Sequence, residues 1–162
     1  GSGQWLAKAE AGAGPRMATI QNEYSLLCRM YDTDLAELSV HEDVTLLAYS
    51  PLGAGILGGQ YQGGTVIPEG TRRSKVPDLS GRVTPRVWAA VETYHQIARA
   101  HGLHPVTMAV AFTMSRPFAC APIIGGRSVA QIDPAIDAGD VVLTPECLAA
   151  IAAAHKAHPA PF

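Results

Sequence analysis

Three short stretches of this sequence hold residues able to grip an anion and a flat ring. They are Gln21, the run Tyr49-Ser50-Pro51-Leu52-Gly53-Ala54-Gly55, and Gly125-Gly126-Arg127-Ser128. The Gln21 amide donates and accepts at once, the complement of a carboxamide; the alternative is a buried glutamine that holds a loop. Tyr49 offers an aromatic face for stacking on a planar ring, or for ordinary core packing. Ser50 to Gly55 supplies a hydroxyl and backbone amides free of bulky side chains, as a pyrophosphate-gripping loop requires. It is not the GxGxxG of a dinucleotide fold, and a plain turn is the other reading. At Gly125 to Ser128, amides at a helix start favour an anion and Arg127 can grip a phosphate with two donors. A capped helix with a solvated arginine is the alternative there.

Metal and disulfide chemistry find little support. The six histidines form no HExxH pattern and no Cys/His ligand cluster. His155 and His158 lie one turn apart near a fraying end, with no third ligand beside them. Cys28, Cys120 and Cys147 are odd in number, widely spaced and without a CxxC pair, which fits a reducing compartment.

The elements that must position these residues alternate between two periods. A helix is expected over 4–11, closed by Gly12 to Pro15, then a strand over 18–21. A helix over 34–41 follows, with Asp32, Thr33 or Asp34 as its N-cap. The run over 44–49 is apolar on both faces, as a parallel strand covered by helices on at least one side would be. Residues 51–84 lose all periodicity and hold eight glycines, three prolines and the basic cluster Arg72, Arg73 and Lys75. A stretch that long without its own periodicity reads as one loop over a ligand. Helices then start at Thr84-Pro85, His104-Pro105, Ser128 and Thr144-Pro145, with a strand over 121–124 between the second and third. Strand and helix alternation predicts an α/β protein with a parallel sheet, whose ligands bind at the C-terminal strand ends. All three candidate stretches fall at such ends. Only three strands are visible, whereas a closed (β/α)8 barrel needs eight and typically about 250 residues.

Composition is permissive. At 162 residues and 48% hydrophobic, the chain can bury a sizeable core, which argues against disorder. A net charge of −2 gives no electrostatic reason to expect nucleic acid or a membrane surface as partner. No apolar run approaches the roughly 18 residues of a bilayer span, and the first residues lack the pattern of a signal peptide. A cytoplasmic location is the expectation.

Taken together, IQNEYSLL, LLAYSPLGAGILGGQY, IPEGTRRS and PIIGGRSVAQI resemble the aldo-keto reductases in order and spacing. The look is closest to larger-loop bacterial members and to the related potassium-channel β subunits. The resemblance implies that residues 1–162 are the C-terminal half of a (β/α)8 TIM barrel, with 51–84 as a cofactor-covering loop. It implies reduction of small aldehydes and ketones with NADPH, or alternatively NADH. Gln21 would bond the nicotinamide carboxamide and Tyr49 would stack on its ring. Ser50, Pro51, Leu52, Gly53 and Gly55 would line the pyrophosphate, with Arg72 approaching the phosphates. Gly125, Gly126, Arg127 and Gln131 would surround the adenosine and its 2′-phosphate.

Departures from the family pattern sharpen the expectation. The lysine of its GKY step is Gln60 here, and the glutamate and asparagine expected after Gln131 are Pro134 and Ala135. The family's catalytic aspartate, tyrosine, lysine and histidine lie on earlier strands, and Tyr24, Tyr31, Tyr61 and Tyr94 match none of them. No catalytic residue is therefore assigned. The chain alone is expected to bind NADPH weakly and to lack general acid catalysis, worth roughly 10²–10⁴-fold. A noncatalytic alternative is an NADP-binding or assembly module. Its open sheet edges would pair with a second copy or with an N-terminal half-barrel.

Overall fold

A computed structural model describes residue 7, residues 11–12 and residues 15–162. Most of the helix expected over 4–11 lies outside the described residues. Three strands, β1 (Thr19–Glu23), β2 (Thr45–Tyr49) and β3 (Cys120–Pro122), form one parallel sheet in the order β1-β2-β3. Gln21 lies beside Leu47, and Leu47 beside Ala121.

Because successive side chains point to opposite faces, the sheet separates into two surfaces. Leu46 and Ala48 are fully buried on one face, under the helices. Gln21, Tyr49 and Ala121 are exposed on the other. Apolar character on both sides of β2 thus ends in cover on one side only.

The helices are α1 (Leu35–Glu42), the single turn α2 (Arg72–Lys75), α3 (Pro85–Ala100), α4 (Pro105–Met114), α5 (Val129–Ile136) and α6 (Pro145–Ala157). Helix α4 is buried at every position from Val106 to Thr113, as a helix apolar all round must be. It packs between β3, α3 and α5. Helix starts follow local chemistry: Thr84 Oγ1 accepts from Val87 N and Thr144 Oγ1 from Cys147 N, both at 3.2 Å, with proline at the first helical position.

Two expected caps differ. Asp34 stands before α1 and Ser128 before α5, but neither side chain makes a capping bond. Asp32 is committed to Tyr24 and Arg29 instead, and Thr33 donates to the Met30 carbonyl. At α5, Gln131 Oε1 takes the Arg127 N–H at 2.9 Å.

Residues 51–84 carry two 3₁₀ turns, Ile56–Gly58 and Gln62–Gly64, besides α2. Tertiary contacts hold this stretch. Arg73 Nη1 donates to the Gly64 carbonyl at 2.9 Å, and its guanidinium lies 5.1 Å from the Trp88 ring centroid. Gly64 has φ +89°, and a Cβ there would come within 2.5 Å of Trp88. Arg82 grips Glu23 with two bonds of 2.9 and 2.6 Å, fastening the end of the loop to the end of β1.

Candidate functional site

The long loop after β2, the turn after β3, the start of α4 and helix α5 line a cleft of about 530 Å³. It meets a smaller recess of about 310 Å³ along Leu52, Gly55, Arg72 and Gly125. Nine of the twelve residues named from sequence line this double cavity. Ser50 and Pro51 lie in the smaller part, and Gly126, Arg127 and Gln131 in the larger. The shared wall supplies the other four.

Three residues sit elsewhere. Gly53 is buried beneath the turn: its N–H donates to the Ser50 carbonyl at 2.8 Å, and a Cβ there would stand 3.0 Å from Leu27. It shapes the loop without facing the cavity. Gln21 and Tyr49 lie on the open face of the sheet, with Tyr49 38% exposed. Neither a buried loop-holding glutamine nor a core tyrosine describes them.

The cavity walls are basic. Neither recess is lined by an aspartate or glutamate, whereas Arg72 and Arg127 line the cleft and α5 begins beside it. The Arg127 guanidinium donates to the Gly70 carbonyl, so it straps the long loop to the start of α5. Gly55 has φ +91°, and a Cβ on it would come within 2.8 Å of Gln60 Nε2. A side chain at Gly125 would meet nothing within 4 Å and would project into open space. Glycines that keep backbone amides bare, two guanidiniums and a helix start suit a ligand with phosphate groups. The residues present therefore fit a nucleotide.

Sequence reasoning treated Arg72, Arg73 and Lys75 as one cluster. The structure divides it, with Arg72 on the cleft and Arg73 buried as an internal brace. Gln60, Thr71, His104, Val106, Ala130 and Pro134 also line the larger recess. His104 was legible only as the residue before a helix-opening proline.

The buried tyrosines are placed for packing. Burial pushes the Tyr24 hydroxyl far up, helped by its bond to Asp32 at 2.7 Å. Burial also pushes Tyr94 up to about 12, with its hydroxyl donating to the Leu26 carbonyl. Tyr31 shares a hydrogen bond with Ser39, and burial raises it too. Tyr61 is buried beside Trp88, and its hydroxyl has no hydrogen-bond partner. Among the described residues no group of three His, Cys, Asp or Glu side chains could hold a metal ion, and no helix is long and apolar enough to cross a membrane.

Known proteins give this geometry a context. The pattern of the Aldo/keto reductase family matches residues 4–156. The protein Tas of Escherichia coli strain K12 is 40% identical over 163 residues, covering 98% of this chain and 46% of that protein. A putative voltage-gated potassium channel β subunit of Schizosaccharomyces pombe is 32% identical over 136 residues, 79% of this chain and 39% of its own length. A solved glycerol dehydrogenase from Gluconobacter oxydans superposes with a TM-score of 0.72 at 24% identity, covering 93% of this chain and 45% of that one. That likeness identifies the three parallel strands and their helices as part of a (β/α)8 barrel. The chain spans about half the length of the curated relatives it matches. A pattern matched over nearly every residue, on the fold it requires, makes this chain a member of the aldo/keto reductase family of oxidoreductases.

Proposed function

We propose that this chain is the cofactor-holding part of an NADPH-dependent reductase of small aldehydes and ketones, with NADH the weaker ligand. One observation carries the proposal. Nine residues scattered between positions 50 and 131 converge on two adjoining basic recesses lined by no carboxylate. In this reading Arg72, Arg127 and the bare amides of Gly55, Gly125 and Gly126 hold the phosphates. Gln131 fixes the Arg127 backbone by accepting its N–H. The loop over 51–84 covers the diphosphate. Gln21 orients the carboxamide, and Tyr49 shields one face of the ring on the open side of the sheet.

The bound nicotinamide supplies the hydride, and the protein supplies orientation and electrostatics. No described tyrosine stands ready to pass a proton to a carbonyl oxygen. Tyr24, Tyr31 and Tyr94 are buried and held up in pKa, the Tyr61 hydroxyl lies off the double cavity, and Tyr49 is given in this reading to the face of the ring. The acid must come from residues outside this chain. The location is the cytoplasm, where three unpaired cysteines stay reduced.

Fluorescence titration with NADPH and NADH, followed by an aldehyde panel, tests the proposal. The chain should bind NADPH more tightly than NADH and turn over nothing measurable, while a protein that joins it to the remaining barrel strands should oxidise NADPH. No nicotinamide-nucleotide binding by either protein would overturn it, as would full reductase turnover by the 162-residue chain.

The sheet favours a second reading beside the first, that of an assembly surface. Among the described residues β1 and β3 each have one hydrogen-bonded neighbour, and the face bearing Gln21, Tyr49 and Ala121 is exposed. A half-barrel partner or a second copy would cover both. A monomer by light scattering, with or without the remaining barrel strands supplied as a separate chain, would sink this reading.

A further inference from the structure

Helix α6 ends at Ala157, and the chain then turns back along α3. Ala160 takes a left-handed φ of +43°, and His158 shares a hydrogen bond of 3.1 Å with Thr93 of α3. The turn delivers Pro161, which is buried, and Phe162, which packs against the core. Both meet the end of the long loop. Thr84 Oγ1 donates to the Pro161 carbonyl at 2.5 Å, and the Arg82 guanidinium lies 5.8 Å from the Phe162 ring centroid. Arg82 is also the residue that grips Glu23, the register neighbour of Tyr49.

Just before Arg82 the backbone is strained. Leu79, Ser80 and Gly81 have φ of +49°, +59° and +83°, three left-handed residues in succession. L-residues visit that region singly, because Cβ crowds the following carbonyl. The loop has two other such runs, 53–55 and 62–64, but each holds a single residue with a side chain. Strain of this kind persists only where neighbouring contacts impose it. Here those contacts converge on Arg82. Its Nη1 donates to the Leu79 carbonyl at 3.0 Å, its other two nitrogens hold Glu23, and the Phe162 ring lies against it.

Resting on the cofactor reading above, we infer that the segment from Pro159 to Phe162 is a catch on the loop. With Phe162 against Arg82, residues 79–81 stay wound and the loop lies over the cleft. With Phe162 away, Arg82 loses its aromatic face, the wound turn relaxes and the 82–84 end of the loop swings free. The Arg127 strap holds the middle of the loop, and the catch holds its end. A bound nucleotide therefore leaves at a rate set partly by Phe162.

Hydrogen exchange of the ligand-free chain, read by mass spectrometry over residues 76–84, tests the catch directly. Phe162→Ala should speed exchange there by about fivefold, the size of a part-buried cation–π contact, and leave α3 and α6 at wild-type rates. Phe162→Leu refills the space without a π face and should do the same. A stopped-flow chase of bound NADPH should show release accelerated by a similar factor in both variants. Wild-type exchange over 76–84 in either variant would overturn the catch, as would faster exchange spread evenly through α3 and α6. Faster exchange with unchanged NADPH release would overturn it too, since the turn would open without freeing the ligand. If the chain binds no NADPH, the cofactor reading falls, and exchange over 76–84 alone decides the catch.

Discussion

The cleft and the aromatic cluster beneath the helices both use arginine, in opposite ways. In the cluster, Tyr24, Tyr31, Phe112 and Phe118 pack with ring centroids 5.2 to 6.1 Å apart. Asp32 accepts from Tyr24 Oη and Arg29 Nε at 2.7 Å each and pairs with Arg116 at 3.3 Å. Both guanidiniums also lie within 5.1 and 5.5 Å of the Phe112 centroid. Every charge there has an opposite charge or an aromatic face. In the cleft, Arg72 and Arg127 face no carboxylate, and Arg127 is held by one backbone carbonyl. Positive charge is balanced where it braces the fold and left unbalanced where a ligand can bring its own.

Four measurements probe this contrast, from the largest expected effect to the smallest. Phe112→Ala should cost about 3–5 kcal/mol in denaturant unfolding, since it empties the centre of the cluster and removes the ring under both guanidiniums. Asp32→Asn should cost about 3 kcal/mol, because two partly buried arginines lose their shared counter-charge. A change under about 0.5 kcal/mol would show that the aromatic faces suffice. Arg127→Ala should lie within about 0.5 kcal/mol of wild type in stability. It should nevertheless weaken 2′,5′-ADP binding by about 10–100-fold, the value of a charged hydrogen bond. Equal loss of stability would erase the distinction between the regions.

The last measurement is alkaline. Burial raises Tyr94 from its ordinary 10 to about 12 and pushes Tyr24 up as well. The folded state holds the neutral phenol, while the unfolded chain ionises first. The contribution of Tyr94 is therefore intact below about pH 10 and lost between about pH 10 and 12, on the order of 2 kcal/mol. Tyr94→Phe should flatten the fall in melting temperature above pH 10. An unchanged slope would place the alkaline sensitivity in the other tyrosines.

The sequence made the helix starts plain where capping is local. Thr84-Pro85 and Thr144-Pro145 carry their own hydrogen-bond chemistry, and α3 and α6 begin there. Asp34 and Ser128 looked equivalent to them, yet neither side chain caps its helix: Tyr24 and Arg29 claim nearby Asp32, and Gln131 takes the Arg127 amide. Arg72 and Arg73 are adjacent and chemically alike. The Gly64 and Pro77 carbonyls and the Tyr61 and Trp88 rings decide that Arg73 turns inward. The cleft residues at the strand ends were readable because parallel sheets put binding residues there. His104 was not, since a cap advertises helix geometry and says nothing of the wall it builds.

Pro122 has a consequence for behaviour at high concentration. Ile123 donates its N–H to Ala48 on β2, so the neighbouring N–H positions of β3 point to the outer edge. Proline fills one of them, and β3 is only three residues long. Its outer rim is left nearly without donors, which blunts it as a template. The rim of β1 has five residues and no proline. Among the described residues, an added strand is therefore better templated along β1 than along β3.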